Sequence, residues 1–399
     1  MNEDPAILLT PPGQELLARL AAERDGGSLA VAERLRREYP ADLVATAMAQ
    51  RELRLAAAAK FSRAAQMLFT RAGYEQSSSE AIAGYRAGRL SHASRVADLC
   101  CGIGGDLIAL AAASDVLAVD RDETHARLAL HNAAVYGRAE HVMAVVADVR
   151  DVPLAGLDAV FIDPARRAGP GAATGPRRFR SGTSEPPLDW CLALTGQVEA
   201  VCIKAAPGIP VELIPPAWEA EFIAEARDLK ESVLWSPSLA SAPDAAHGRR
   251  RATVLTPSAP RTLVAHPGDP VPLREPGEFL LDPNPAVTRA GLVEDLARAL
   301  GGDIAKIDPQ IAFLTLDRDV RTPFARTLSV KHSAPWHEKQ FAQRLRELDV
   351  GAVDIRRRGL AGDVDQIRRR LKLAGKTRAT IVITRVSDKP WGLICTDPA

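Results

Sequence analysis

Cysteine is scarce in this chain, and the few cysteines are not spaced for metal or disulfide chemistry. The sequence contains five of them, with no C-x-x-C pair and no adjacent histidine pattern. We therefore expect reduced thiols, no disulfide framework and no metal site.

Aromatic residues and long apolar runs are also scarce. Phe, Trp and Tyr make up 5% of the chain, which argues against a broad surface that stacks bases. No segment approaches the roughly 18 uncharged apolar residues of a membrane span. The N-terminus, MNEDPAILLTPPG, carries acids where a secretory signal has basic residues. We predict a cytoplasmic protein.

The most informative segment is a glycine-dense turn between two apolar runs. Residues 96–106 read VADLCCGIGGD, and the second run, VLAVD, ends in Asp120. Glycines let the backbone leave a strand sharply and approach a ligand without a Cβ, and helices are predicted over 107–113 and 123–135. The pattern predicts a nucleoside-containing cofactor with its ribose on Asp120. NAD is disfavoured because Leu107 stands at the third glycine position of the dinucleotide fingerprint.

Acidic residues end four successive predicted strands. They are Asp98, Asp120, Asp148 and Asp163. The carboxyl ends of parallel strands lie at one edge of a sheet, so these four side chains should converge on one crevice.

The series over residues 94–165 resembles the class I S-adenosylmethionine-dependent methyltransferases, in which D-L-x-x-G-x-G-G-D is the cofactor loop. The resemblance implies an α/β, Rossmann-like domain that binds S-adenosylmethionine (SAM). The second-strand acid would bind the ribose, and the third-strand acid would lie near the adenine. The cofactor-binding residues predicted on this basis are Asp98, Gly102, Gly104, Gly105, Asp106, Asp120, Arg121, Asp148 and Val149.

The end of the fourth strand, DPARR at 163–167, stands where such enzymes place residues that face the methyl acceptor. Enzymes that methylate exocyclic amines of bases often carry two prolines and an aromatic residue there, and this chain lacks the aromatic. The segment is also similar to the DPPRAG of methyltransferases that act on carbon 5 of uridine. Those enzymes need a nucleophilic cysteine after the next strand, whereas Cys202 lies inside the predicted fifth strand, EAVCIKAAPG. We therefore predict direct transfer without a covalent enzyme intermediate.

Three residues are predicted to be catalytic: Asp163, Pro164 and Arg166. Asp163 would orient an amine or accept its proton. Arg166 and Arg167 are candidates for gripping phosphate, because guanidinium forks match phosphate oxygens. A surface turn or a salt bridge explains these two arginines equally well.

Charge is distributed unevenly along the chain. Residues 331–399 hold 15 Lys and Arg against 8 Asp and Glu, a net charge of +7, whereas the whole chain carries +1. A basic C-terminal part favours a polyanionic partner, and a nucleic acid fits best with a cofactor that donates methyl groups. The alternative is that RRRG at 356–359 and IRRRLK at 367–372 coat a solvated surface.

The N-terminal segment 14–72 is rich in Ala, Leu, Arg and Glu at helical spacing, which predicts a helical domain. After it, Ser77 and Glu80 fit a helix capping box. The surrounding polar cluster QSSSE could instead lie beside the amino-acid end of the cofactor.

Four parts are predicted: a helical domain (1–75), the Rossmann-like domain (76–258), a ferredoxin-like α+β domain (270–328) and a basic α+β domain (329–399). This arrangement resembles a bacterial family in which a methyltransferase carries a C-terminal THUMP-like domain. THUMP domains generally hold structured RNA, so the resemblance implies an enzyme that methylates tRNA or rRNA. The alternatives are a methyltransferase for protein or small molecules, and a protein that binds SAM or RNA without transfer. The oligomeric state is left open.

Overall fold

A computed structural model describes residues 4–23, 29–166, 184–244, 248–360 and 363–398. The chain forms two compact units: the first contains Met1–Glu219 and Glu231–Ser241, and the second contains Ala220–Lys230 and Ala242–Ala399. Within the described residues, no helix is long and apolar enough to cross a membrane.

The helices lie mainly in the N-terminal third and between strands. The α-helices are α1 (Pro11–Ala22), α2 (Leu29–Leu35), α3 (Ala41–Ala57), α4 (Arg71–Gln76), α5 (Glu80–Arg89), α6 (Leu107–Leu110), α7 (Glu123–Val135), α8 (Leu188–Ala193), α9 (Pro285–Ala290), α10 (Val293–Leu300), α11 (Glu338–Glu347) and α12 (Val364–Leu371). Short 3-10 helices cover Pro5–Leu9, Ala139–His141, Leu194–Gly196 and Val211–Leu213.

The strands of the described residues begin at Arg95. They are β1 (Arg95–Leu99), β2 (Asp115–Asp120), β3 (Val142–Val146), β4 (Ala159–Ile162), β5 (Ala165–Arg166), β6 (Ser184–Glu185), β7 (Ala200–Ala205), β8 (Glu219–Glu225), β9 (Asp228–Trp235), β10 (Arg249–Leu255), β11 (Pro260–Val264), β12 (Phe279–Pro283), β13 (Ala305–Lys306), β14 (Leu314–Leu316), β15 (Ala325–Pro335), β16 (Val350–Arg357), β17 (Thr377–Val386) and β18 (Lys389–Thr396).

In the first unit, a largely parallel sheet runs in the order β9-β7-β4-β1-β2-β3. Strands β1, β2, β3, β4 and β7 are parallel, and β9 pairs antiparallel with β7. The central strands are apolar and buried, as expected for a parallel sheet that is covered on both faces. Their shared direction places the carboxyl ends of β4, β1 and β2 at one edge, which positions the site described below.

The N-terminal helices do not form an isolated core. The apolar residues of α1, α2 and α3 share one buried cluster with Ile103 of the glycine-dense segment, Ile108 of α6 and Leu128 of α7. The helical segment therefore packs directly against the loop that was predicted to hold the cofactor.

Two local predictions in this unit are wrong. The helix expected over 107–113 ends at Leu110, after only four residues. The N-cap of α5 is Ser79, whose hydroxyl accepts from the Ile82 amide, so Ser77 and Glu80 do not form a capping box. The Glu80 carboxylate instead accepts from the amide and the hydroxyl of Ser62.

The second unit contains a seven-stranded sheet in the order β13-β14-β12-β15-β18-β17-β16. Only β16 and β17 are parallel. The buried side chains of one face include Phe313 and Leu393, and those of the other face include Phe341 of α11 and Leu371 of α12.

The sequence analysis did not identify β15 and β18, two strands at the centre of this sheet. The predicted boundary between residues 328 and 329 falls inside β15, so the two C-terminal parts share one sheet. The division of the chain into four domains stays a prediction. Strands β11, β10 and β8 are neighbours in that order, and β10 and β11 form an antiparallel hairpin.

Candidate active site

The glycine-dense loop adopts backbone conformations that explain its composition. Cys100, Gly102 and Gly104 have φ values of 62°, 53° and 83°. A Cβ on Gly104 would lie 3.0 Å from the Cα of Ala129 in α7, so glycine also permits close packing there. A Cβ on Gly105 would lie 3.2 Å from the Cβ of Ser77. The loop is therefore held between α7 and the N-terminal segment.

Asp120, at the end of β2, organises the same loop. Its carboxylate accepts hydrogen bonds from the backbone amides of Gly102 at 2.9 Å and Asp122 at 3.0 Å, and His125 Nδ1 lies 3.7 Å away. Burial favours the neutral acid, but the His125 contact and the two amides outweigh it, so the pKa of Asp120 is lowered. Asp120 is therefore an ionised acceptor at the strand end.

Asp98 is the unusual acid of this edge. Its side chain lies in β1 with 1% exposure, and neither carboxylate oxygen has a hydrogen-bond partner among the described residues. Burial, followed by the negative charges of Asp106, Asp163 and Asp120, raises its pKa well above the ordinary value. A buried acid without a partner is costly, and a ligand that donates hydrogen bonds would relieve that cost.

Asp106 belongs to a buried ion network. Arg86 of α5 is 1% exposed and pairs with both Asp106 and Glu231 of β9. Its guanidinium also lies over the ring of Phe161 at 5.2 Å, and Ser78 Oγ donates to Glu231 at 2.9 Å. The Asp106 carboxylate is thus already engaged by the protein.

Asn132 of α7 connects the loop to the N-terminal segment. Its side chain is fully buried, its amide nitrogen donates to the carbonyls of Ile103 and Leu68, and its oxygen accepts from the Leu68 amide, all at 2.9 Å. A Cβ on Gly73 would lie 2.4 Å from Ile103 Cγ2. The loop and segment 68–78 are therefore packed as one body.

Asp163 follows β4 and is paired with a lysine from the neighbouring strand. Lys204 Nζ lies 2.6 Å from Asp163 Oδ2, and the lysine side chain is 9% exposed whereas that of Asp163 is 33% exposed. The amide of Asp163 donates to the carbonyl of Leu99 in β1 at 3.2 Å. Cys202 is fully buried in β7, which confirms its interpretation as a core residue.

Asp148, the third of the acids predicted to end a strand, lies beyond the end of its strand. Strand β3 ends at Val146, two residues before Asp148, and Arg150 bridges Asp148 and Glu185 of β6. Strand β6 pairs with β5, which contains Ala165 and Arg166. Val149 is buried and Arg121 is exposed. Arg167 and the side chain of Arg166 lie outside the described residues.

The structure thus brings together the acids of β1, β2 and β4 with the glycine loop, as predicted. Two cations at this edge, Arg86 and Lys204, were not predicted from the sequence to be site residues. A charged residue inside the apolar run AVCIKAA was the available signal for Lys204, whereas nothing in the sequence joins Arg86 to Glu231. No group of three or more His, Cys, Asp or Glu in the described ranges is arranged to hold a metal ion.

Family models match three parts of the chain. Residues 93–182 match the model described as RNA cap guanine-N2 methyltransferase, and residues 325–397 match a THUMP domain-like model. Residues 3–57 match a model described only as a domain of unknown function. The first of these matches contains the glycine loop and all four strand-end acids.

Relatives cover most of the chain. An uncharacterized S-adenosylmethionine-dependent methyltransferase of Mycobacterium tuberculosis is 36% identical over 327 residues, which cover 80% of this chain and 85% of the relative. The fold is similar to the crystal structure of a protein assigned as a methyltransferase from Porphyromonas gingivalis. That likeness has a TM-score of 0.72 at 20% identity and covers 90% of this chain and 92% of the other.

Proposed function

Since the chain belongs to the family of S-adenosylmethionine-dependent methyltransferases, we propose that it transfers the methyl group directly to a base in structured RNA, such as tRNA or rRNA. The family and the Rossmann-like fold that the sequence predicted are confirmed. The RNA acceptor and the roles of individual residues are the proposal.

The residues of the first unit fit SAM. When bound, SAM supplies an electrophilic methyl group on a positively charged sulfur. Asp98, whose buried carboxylate has no hydrogen-bond partner among the described residues, would accept from the ammonium group of the amino-acid part of SAM. Asp120 would accept from the ribose hydroxyls with the lone pairs that Gly102 and Asp122 do not use.

The remaining cofactor assignments follow the strand order. Asp148 and Val149 would lie at the adenine, and Arg121 would flank the ribose. Gly104 and Gly105 would keep the loop close to α7 and the N-terminal segment. Asp106 would act through Arg86 by fixing the loop.

Asp163 carries the chemical part of the proposal. Its Oδ2 is bound to Lys204, and its Oδ1 accepts no hydrogen bond from the part of the chain that the structure describes. Oδ1 can therefore accept from an N–H of the acceptor base and orient the nitrogen lone pair toward the methyl group. SAM would supply the methyl group with the S–C electron pair staying on its sulfur, and Oδ1 would take the N–H proton of the newly methylated nitrogen. The carbonyl of Pro164 would be a second acceptor for the base.

The RNA assignment is supported by the family models and by charge. The RNA methyltransferase model covers the site, and the THUMP domain-like model covers the part of the chain with the +7 charge. Basic side chains exposed in that part include Arg346, Arg369, Lys372, Lys376 and Arg378. They would bind phosphates and contribute affinity without sequence specificity, and Arg166 would hold a phosphate beside the reacting base.

Transfer of labelled methyl from SAM tests the proposal. Undermodified total RNA, total protein and a metabolite pool serve as separate acceptors, with Asp163→Asn as the matched inactive variant and Asp120→Ala as the variant that loses cofactor binding. We expect label in RNA with the wild type only, and RNA binding that weakens as salt rises. Label confined to protein or metabolites, or no transfer despite SAM binding, contradicts the RNA assignment.

A further inference from the structure

Lys204 is a buried cation at the carboxyl edge of the sheet. It follows four buried residues of β7, AVCI, and precedes the end of that strand. Ile203 is the register partner of Ile162 in β4, so Lys204 and Asp163 come next on neighbouring parallel strands. A lysine in this setting loses much of its hydration, and its short contact with a carboxylate offsets that loss.

Lys204 forms a hydrogen bond with only one of the two carboxylate oxygens of Asp163. Its ammonium donates to Oδ2 at 2.6 Å and lies 3.5 Å from the carbonyl oxygen of Gln76, at the end of α4. Because the Asp163 side chain is partly exposed, its other carboxylate oxygen, Oδ1, can bind a ligand. Because the Lys204 backbone is fixed in the sheet, the ion pair restricts the rotation of the Asp163 carboxylate.

The charges around Asp163 make this restraint chemically relevant. The groups that face it are Lys204 from β7, Asp98 from β1 and Cys100 from the glycine loop. Asp98 and Cys100 contribute no positive charge. Within the part of the chain that the structure describes, Lys204 is therefore the cation in contact with the Asp163 carboxylate.

We propose that Lys204 is a positioning residue for methyl transfer: it holds the Asp163 carboxylate turned so that Oδ1 receives the proton of the acceptor nitrogen. This inference rests on the proposed function of Asp163. It also specifies the acceptor class as a nitrogen that carries a proton and loses it on methylation, since a nucleophile without a proton would have none to give to Oδ1.

The test compares Lys204→Met, which removes the charge, with Lys204→Arg, which keeps it. Lys230→Met serves as the control, because Lys230 forms an exposed pair with Asp228. We expect Lys204→Met to lower kcat by roughly 10- to 100-fold while the Kd for SAM stays within about twofold of the wild type. The KM for the acceptor should change less than kcat, because the restraint acts on the oxygen that takes the proton during transfer. Lys204→Arg should restore part of the activity, and Lys230→Met should behave as the wild type.

Three results would overturn the proposal: an unchanged kcat in Lys204→Met, a loss of kcat that Lys204→Arg does not partly restore, or a loss of SAM binding that matches the loss of kcat. The comparison is made with whichever acceptor pool the wild type labels, so a failure of the RNA assignment is seen separately. If no pool is labelled, crystal structures of the wild type and Lys204→Met decide. An Asp163 carboxylate that turns away from its wild-type orientation in Lys204→Met supports the proposal, and an unchanged orientation contradicts it.

Discussion

Replacing Asn132 with alanine should loosen the glycine loop, because three hydrogen bonds meet on this one side chain. The substitution leaves the Leu68 amide, the Leu68 carbonyl and the Ile103 carbonyl without their partner. The side chain is fully buried, so water does not replace these bonds without a rearrangement.

The expected loss follows from the number of bonds. At about 1 kcal/mol each, three bonds amount to about 3 kcal/mol of the free energy of unfolding. For a unit of this size, that loss corresponds to a decrease in Tm of about 6–12 °C. Asn132→Asp should be at least as destabilising near pH 7, because a carboxylate oxygen would then face two carbonyl oxygens.

Urea denaturation and thermal melting of both variants measure these effects, with Arg127→Ala as the control on an exposed position of the same helix. The control should change the free energy of unfolding by less than about 0.5 kcal/mol. A loss below about 1 kcal/mol in Asn132→Ala, or a stable Asn132→Asp variant, would refute the conclusion that this side chain ties the loop to the N-terminal segment.

Three further predictions concern the loop and the strand ends. The pKa of Asp98 is raised in the folded protein, so the contribution of this one group to wild-type stability should fall as pH rises above about 4. Asp98→Asn removes that effect and weakens SAM binding. In urea denaturation, the variant should gain stability over the wild type by an amount that grows between pH 5 and pH 8. A gain that stays constant over this range would contradict the prediction. Gly104→Ala should weaken SAM binding at least tenfold in calorimetry, because the residue has a φ of 83° and lies against Ala129; unchanged affinity would show that the loop adapts. Cys202→Ala should retain methyl transfer, and complete loss of activity in the folded variant would favour covalent catalysis.

Sequence patterns predicted the helices and strands whose formation depends mainly on residues close in the sequence. Apolar spacing gave the bounds of α7 at 123 and 135, and the acids at the ends of β1, β2 and β4 do meet at one edge. The cap of α5 was assigned to Ser77 because only this serine has a glutamate three residues later, but Ser79 forms the cap without that glutamate. Strand β15 was missed because its second half is polar and partly exposed.

The parts of the site that the sequence did not predict depend on distant partners. Lys204 and Asp163 are 41 residues apart in the sequence, and they meet only because β4 pairs with β7. In the sequence, Arg86 is an ordinary basic residue in the last turn of a helix. Only the fold places Glu231 of β9 beside it. Such pairs are fixed by the topology of the sheet, which no single segment encodes.

The ion network of Arg86 also has a consequence for the order of events during protein synthesis. Arg86 and Asp106 leave the ribosome well before Glu231, which is 145 residues beyond Arg86. At typical elongation rates, that distance corresponds to roughly 7–30 s. Throughout this interval Arg86 has only one of its two carboxylate partners, so the ion network that holds Asp106 of the glycine loop is completed only after β9 has been translated.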